Sequence, residues 1–462
     1  MSKLENNLSK GAVAPQLLRF ALPFIVSNLI QSLYSVADMI IVGQYAGAVS
    51  MSGVNIGGQV TQLVTNMVFG LAAGGTVLIG QYLGAGDRKA LRDTIGTLLT
   101  VLLALGGAFT ILLLALRGPI LSVIQTPPPS YPEAMSYLLV TSLGMVFIFG
   151  YNALSAIMRG LGDSKRPLYF VAIACVINVV LDIFMVGVLR WGAFGAGLAT
   201  VISQAVSMIL CIIYLRKNDF IFDFSLKSFG FHPEKLRMLL KVGVPMSVQN
   251  VATSVSFLFL TTMVNLLDPT AMASAAVGAV SKFNSFGVLP AFAMSSAIAA
   301  MSAQNIGAGE ERRAVQTMKI GTALSFGISF AVFALAQLFP AQIIRIFADD
   351  PALVSAGVEY LRAFSFDYAL VPLMSGLNGL FIGAGHTTFS FINGVMAALL
   401  VRIPVCYVFG VWMSLGLFGI GLGAPFASGV AFVVGVFFFL SGKWKRSTII
   451  SAQSPADAGV QK

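Results

Sequence analysis

The chain is written in long apolar stretches separated by short breaks rich in glycine, proline and charge. An α-helix rises about 1.5 Å per residue, so about 20 apolar residues cross the ~30 Å hydrocarbon core of a bilayer. Stretches of that kind predict spans at 17–42, 55–81, 95–116, 134–158, 168–188, 192–215, 236–266, 275–303, 318–338, 358–381, 389–411 and 415–440. The expected fold class is therefore an all-α integral membrane protein with twelve transmembrane helices.

The pattern is written twice. GQYLGAGDRKA at 80–90 returns as AQNIGAGEERRA at 303–314, an offset of 223 positions from Gly84 to Gly307. Pro23 is answered by Pro245, Gly160-Leu161-Gly162 by Gly383-Ala384-Gly385, and Gly195/Gly197 by Gly419/Gly421. Six spans per half is an even number, so both halves enter the bilayer from the same side. This predicts two parallel six-helix lobes related by a pseudo-two-fold axis along the membrane normal, with a central cleft, as in many secondary transporters. The expected organisation is a first lobe over 1–216, an interlobe linker at 217–235, a second lobe over 236–442 and a flexible tail at 443–462.

Charge adds an orientation. Lys and Arg gather in alternate connections, at Arg88, Lys89 and Arg92, at Arg159, Lys165 and Arg166, through 216–241, at Arg312, Arg313 and Lys319, and after 442. The opposite connections hold Arg117, Arg190 and Arg345. By the positive-inside rule both termini are expected in the cytoplasm. The net charge of +10, in a chain 57% hydrophobic and 10% charged, then follows from topology and contact with anionic membrane lipids, and nucleic acid is not an expected partner. The polar linker, with Phe220, Phe222 and Phe224 spaced by two, can lie at the membrane interface. No cleavable signal peptide is expected, because the first span is too long and carries Pro23. Cys175, Cys211 and Cys406 stand at unrelated spacings and His232 and His386 stand alone, so neither a disulfide framework nor a metal site is expected.

Several chemistries are excluded. The chain has no GxxxxGK[ST] phosphate loop, no acidic cluster suited to magnesium, and no convergent nucleophile, metal-ligand set or cofactor loop. It is not expected to be an enzyme or to need a cofactor, and transport should draw on an ion gradient.

The candidate chemistry lies in ionisable residues inside spans, which are costly to bury and mark proton relays, ion sites or substrate paths. Asp38 lies in span one. Asn178 and Asp182 stand four apart on span five and share a helical face. Thr200 and Tyr137 can reach similar depth, although Tyr137 also suits an interfacial anchor. Two carboxylates in a low-dielectric pocket resist double ionisation, so the site can exchange a proton. The same oxygens suit a sodium ion, the one metal to be considered, and the residue types leave the two open.

The second half does not repeat this site, since Val405 answers Asp182 and nothing acidic answers Asp38 near Thr261. Its intramembrane charges are Lys282, Asp367 and Arg402, readable as a structural Asp367–Arg402 or Asp367–Lys282 ion pair or as an ion or substrate site. Gln249, Asn250 and Thr253 give span seven a polar patch. Gln31, Tyr34, Asn152 and Phe283 are further candidates for a substrate cleft. Pro23, Pro245, Pro290, Pro372, Pro404 and Pro425 supply bending points. Gly84-Ala85-Gly86-Asp87 and Gly160-Leu161-Gly162-Asp163 read as helix ends, with glycine in the left-handed cap and the acid starting the next helix. Gly70/Gly74, Gly379/Gly383 and Gly419/Gly423 read as close-packing pairs.

SLYSVADMIIVG in span one, GQYLGAGD after span two, MRGLGDSKRP after span four and INVVLD in span five together resemble the multidrug and toxic compound extrusion (MATE) family, over about residues 10–445. The resemblance implies a bacterial inner-membrane exporter of amphipathic organic cations and drugs, driven by inward proton or sodium flow through rocking of two lobes and working as a monomer. It implies an ion site at Asp38, Asn178, Asp182 and Thr200, with Tyr137 beside it. A lipid-linked precursor flippase of the same superfamily is the alternative; it should line its cleft with several cations, of which Lys282 and Arg402 are only two.

Overall fold

The computed structural model describes residues 5–218, 220–225, 228–267, 272–347, 350–445 and 449, and among them every regular element is helical. This is the outcome expected of a chain in hydrocarbon, where backbone N–H and C=O groups must be satisfied within the segment that carries them. Nine of the described helices are long and apolar enough to cross a membrane, and a bent pair makes a tenth. One of the nine, α1 (Val13–Ala85), is 73 residues long and breaks at Gly47, where φ is 80° and ψ 178°. At about 1.5 Å per residue it is far longer than one crossing, so it supplies spans one and two. The connection expected between them at 43–54 is helical on both sides of that single glycine.

In the N-terminal half, α2 (Arg88–Val123) is followed by α3 (Tyr131–Leu143) and α4 (Met145–Gly160), then α5 (Lys165–Asp182) and α6 (Gly192–Lys217). Span four, expected unbroken, bends by 51° at Gly144, where a Cβ would lie 2.3 Å from Val201 of α6. The C-terminal half runs through α7 (Pro233–Leu267), α8 (Met272–Gly287), α9 (Leu289–Gly307), α10 (Glu311–Leu338), the short α11 (Pro340–Arg345), α12 (Pro351–Phe364) and α13 (Phe366–Gly383). It ends with α14 (Thr387–Val395), α15 (Ile403–Val405), α16 (Gly416–Gly421) and α17 (Gly423–Leu440). Spans eight, ten and twelve are thus each made of two helices. The first break falls at Val288, just ahead of Pro290, whose ring cannot continue the ladder from α8. With α1 resolved as two crossings and α12–α13 as one, diluted by Asp367, Pro372 and Asn378, the described residues make twelve spans.

Contacts divide the chain into two compact units, the first holding residues 5–7 and 22–247 and the second 8–21 and 248–445. The changes of unit at 21/22 and 247/248 fall within three residues of Pro23 and Pro245, one in α1 and one in α7. The linker expected at 217–235 belongs to the first unit. Its Phe222 is 1% exposed, packed against Phe224, Phe229 and Gly96 of α2, so this ring sits in protein and not at a lipid surface. The tail expected from 443 begins with an ordered turn in which Trp444 is buried and donates to Phe439 O at 3.1 Å. Apart from 449, its residues beyond 445 lie outside those described.

The repeat is visible in local geometry. Gly86 and Gly309 take left-handed φ values of 75° and 77°, and Asp87 caps α2 by accepting from Ala90 N. Span five ends in a π-helical segment, Ile183–Val188, and span eleven in another, Cys406–Trp412. Each is followed by a residue at φ 56°, Arg190 or Ser414, and a glycine, Gly192 or Gly416. A carboxylate then accepts from the next helix start, Glu133 from Ala193 N at 2.8 Å and Glu359 from Phe418 N at 3.1 Å.

The glycine pairs are close approaches. A Cβ at Gly70 would lie 2.7 Å from Gly243 O, at Gly379 2.6 Å from Ser295 O, and at Gly423 2.2 Å from Cys406 Sγ. Gly379→Val should therefore destabilise the fold by about 1–3 kcal/mol through overpacking. A lowered melting temperature in detergent checks this, with Gly327→Val, where a Cβ meets nothing within 4 Å, expected to melt near the native value.

Candidate functional site

Asn178 and Asp182 stand one turn apart on α5, immediately before the π-helical segment, and are 1% and 0% exposed. The Asn178 amide is satisfied in one orientation only, because the other sets oxygen against oxygen. In that orientation Nδ2 donates to Asp182 Oδ2 at 2.8 Å and Oδ1 accepts from Thr200 N at 3.1 Å. α6 thereby presents Thr200, whose hydroxyl lies 3.5 Å from the Tyr34 hydroxyl on α1.

One turn beyond Tyr34, Asp38 is buried, and its carboxyl group lies within hydrogen-bonding range of that of Asp182. Two carboxyl groups can share such a bond only if one of them carries a proton. Among the described residues, the Oδ1 atoms of Asp38 and Asp182 have no hydrogen-bond partner and no basic side chain acts on either carboxylate. Tyr137 of α3 lies in the electrostatic neighbourhood of Tyr34, Asp38 and Asp182. It is buried, packed against Gly57 and Gly197. Four stretches of chain from one unit thus bring together the five residues expected from sequence, and add Tyr34.

The same unit holds a small cleft lined by Gln31, Tyr34, Tyr151, Asn178, Ser203 and Gln204 among others. Asn178 and Tyr34 belong to both cleft and carboxylate cluster. Of the cleft candidates, Gln31 and Tyr34 are therefore found here, whereas the Asn152 amide donates within its own helix to Ile148 O at 2.8 Å. Ser203 and Gln204 were missed, although they follow Thr200 by about one turn, the spacing of a shared face.

The second unit differs from expectation. Lys282 is exposed, because the buried stripe of α8 runs through Ala273, Ala276, Val277 and Val280 and leaves position 282 off that face. The ion pair expected for Asp367 is not formed with either partner. Asp367 is buried beside Ser428, and the Arg402 guanidinium lies 4.7 Å above the Phe257 ring. Gln249 packs against Gly394, Asn250 is exposed, and Phe283 meets the Tyr368 ring edge-on at 6.1 Å.

Comparison with known proteins adds a family. The MatE family model matches residues 23–184 and 245–408, one block in each half of the repeat. The chain is 28% identical over 442 residues to the probable multidrug resistance protein YpnP of Bacillus subtilis, covering 95% of this chain and 97% of the relative. It is 27% identical over 473 residues to the probable multidrug resistance protein NorM of Thermotoga maritima, covering 99% of each. Its fold matches, with a TM-score of 0.89 at 24% identity over 98% of this chain and 100% of the other, a structure described as the outward-facing conformation of a multidrug resistance MATE family transporter. Matched by the family model over more than half its length and folded in the same way, the chain belongs to the MatE (multidrug and toxic compound extrusion) family of multi-pass membrane transporters.

Proposed function

We propose that the protein is an ion-coupled multidrug efflux antiporter, exporting amphipathic organic cations and drugs across the bacterial inner membrane in exchange for protons or sodium. It works by alternating access as a monomer among membrane lipids, with both termini in the cytoplasm, and needs no further cofactor. The observation that carries this reading is the buried Asp38–Asp182 pair, a two-carboxylate cluster on which no basic side chain acts among the described residues. Burying charge without a counter-charge is strongly unfavourable, so such a pair gains most from a cation it can take up and release. The names of the relatives, probable multidrug resistance proteins, support the substrate class.

With one proton shared, the pair carries a single negative charge. A second proton or a sodium ion neutralises it, and the carboxylate oxygens together with the Thr200 hydroxyl are hard ligands suited to sodium. For a neutral drug, one charge entering across about 100 mV supplies ~2.3 kcal/mol, close to a fiftyfold gradient at equilibrium, whereas one-for-one exchange with a monovalent organic cation moves no net charge and draws on the concentration gradient of the ion. Neutralisation reaches the cleft by two routes, through Asn178, which touches Asp182 and the cleft wall, and through α1, which carries Asp38 and Tyr34. Further along α1, Pro23 lacks the N–H that would complete the ladder and Ser27 Oγ donates to its carbonyl at 2.8 Å, which makes this turn the natural place for α1 to bend.

In proteoliposomes, an imposed proton or sodium gradient should drive efflux of a fluorescent organic cation, and Asp38→Asn and Asp182→Asn should each reduce the driven rate at least tenfold. The gradient that works identifies the ion. No response to either gradient across several cations, with the protein correctly inserted, would overturn the reading in favour of a lipid-linked precursor carrier. Asn178→Leu removes the partner of Asp182 Oδ2 and should lower stability by about 1–3 kcal/mol, measured by thermal unfolding in detergent.

A further inference from the structure

The two units treat their intramembrane carboxylates differently. In the first, Asp38 and Asp182 face each other with no basic side chain among the described residues acting on them. In the second, Asp367 on α13 is 5% exposed and has Arg402 as its charged neighbour. The groups facing Asp367 are Arg402, Ser428 of α17, and the buried Tyr360 and Tyr368.

Arg402 owes its place to a feature span five lacks. The π-helical segments at Ile183–Val188 and Cys406–Trp412 align the two spans, and this sets Asp182 against Val405 and Asn178 against Val401. Span eleven has an additional π-helical stretch, Met396–Arg402, ending at the residue after that position. A π-turn changes the rotation of the helix through an i→i+5 bond, so a neighbouring residue can occupy the inward face. Gly423 clears the space, since a Cβ there would lie 3.4 Å from Arg402 Cγ and 3.2 Å from its carbonyl.

The guanidinium is held near Asp367 without being locked to it. No nitrogen of Arg402 comes within 4.0 Å of an Asp367 oxygen, and it rests over the Phe257 ring of α7. Arg402 Nε and Nη1 and Asp367 Oδ1 are buried atoms without a hydrogen-bond partner among the described residues. Donors and acceptor of opposite charge are therefore both free to respond to each other, and a guanidinium stays charged under all ordinary conditions.

We propose that Arg402 is a tethered counter-ion that performs for Asp367 the service a free cation performs for the Asp38–Asp182 pair, so that the second unit binds no coupling ion and ion binding is confined to the first. The inference rests on the reading of Asp38 and Asp182 as a cation site. It also assigns Arg402 a specific role: its loss turns Asp367 into a new cation site.

The test counts cations on the purified full-length chain. Bound sodium is measured with radioactive Na+, and protonated buried carboxyl groups by their infrared C=O stretch. Asp367→Asn in the native background should change neither signal. Arg402→Gln should gain one cation per chain, as bound sodium or as one added protonated-carboxyl band, and Asp367→Asn added to it should remove the gain. Arg402→Lys, which keeps a tethered cation, should match the native chain. The proposal is overturned if Asp367→Asn alone removes a bound sodium or a carboxyl band, a result that does not depend on Arg402→Gln folding, or if a folded Arg402→Gln gains neither. Failure of the first-unit reading is separate: it would appear as native and Asp38→Asn chains with identical cation counts, while the gain in Arg402→Gln still decides the role of Arg402.

Discussion

A polar group placed in hydrocarbon has no water to turn to, and every feature of this protein follows from how that demand is met. Backbone groups meet it with intrahelical hydrogen bonds, which is why every regular element of the described chain is helical. The ladder is interrupted where the path must turn, and each interruption has a local means. Gly47 adopts a conformation unfavourable to other residues, Gly144 permits contact with Val201, and Pro290 opens a new helix. The π-helical ends of spans five and eleven are followed by positive-φ turns and a carboxylate that accepts from the next helix start.

Side chains meet the same demand in three ways. Serines and threonines return their hydroxyls to a carbonyl four residues back, as Thr94 does to Ala90 and Ser254 to Asn250. Basic residues near helix ends pair locally, as Arg166 does with Asp163. The carboxylates in the spans have no such easy solution, and there the halves of the repeat part. Glycine caps and the turns that follow the π-segments are kept in both halves, because every six-span half needs them. The acidic pair appears in one half and a carboxylate with a guanidinium in the other, because a charged site is a matter of function and not of chain path.

Asn178 connects the chemistry to the cavity. Its amide holds Asp182 on one side and α6 on the other, and it lines the cleft with Gln31, Tyr34, Ser203 and Gln204. The aspartates therefore lie one hydrogen bond away from the cleft wall, within one packed unit.

The sequence alone determined the properties that depend on neighbours along the chain. Span number, the duplication at Gly84 and Gly307, the glycine caps and the i, i+4 relation of Asn178 to Asp182 are set by composition and helical period, and these survive folding unchanged. It also marked the buried carboxylates, since their cost in hydrocarbon is a property of residue type. Tertiary structure decided which polar groups meet. Rotation of a helix about its axis moves a side chain between core and surface, and that rotation is set by packing against other helices and by bends at single residues. Hence Lys282 is exposed although it lies in a span, Asn152 turns back on its own helix, and Tyr34 joins the aspartates through Thr200. Arg402 rests on Phe257 because one additional π-helical stretch changes the face that span eleven presents, and no count of apolar residues contains that information.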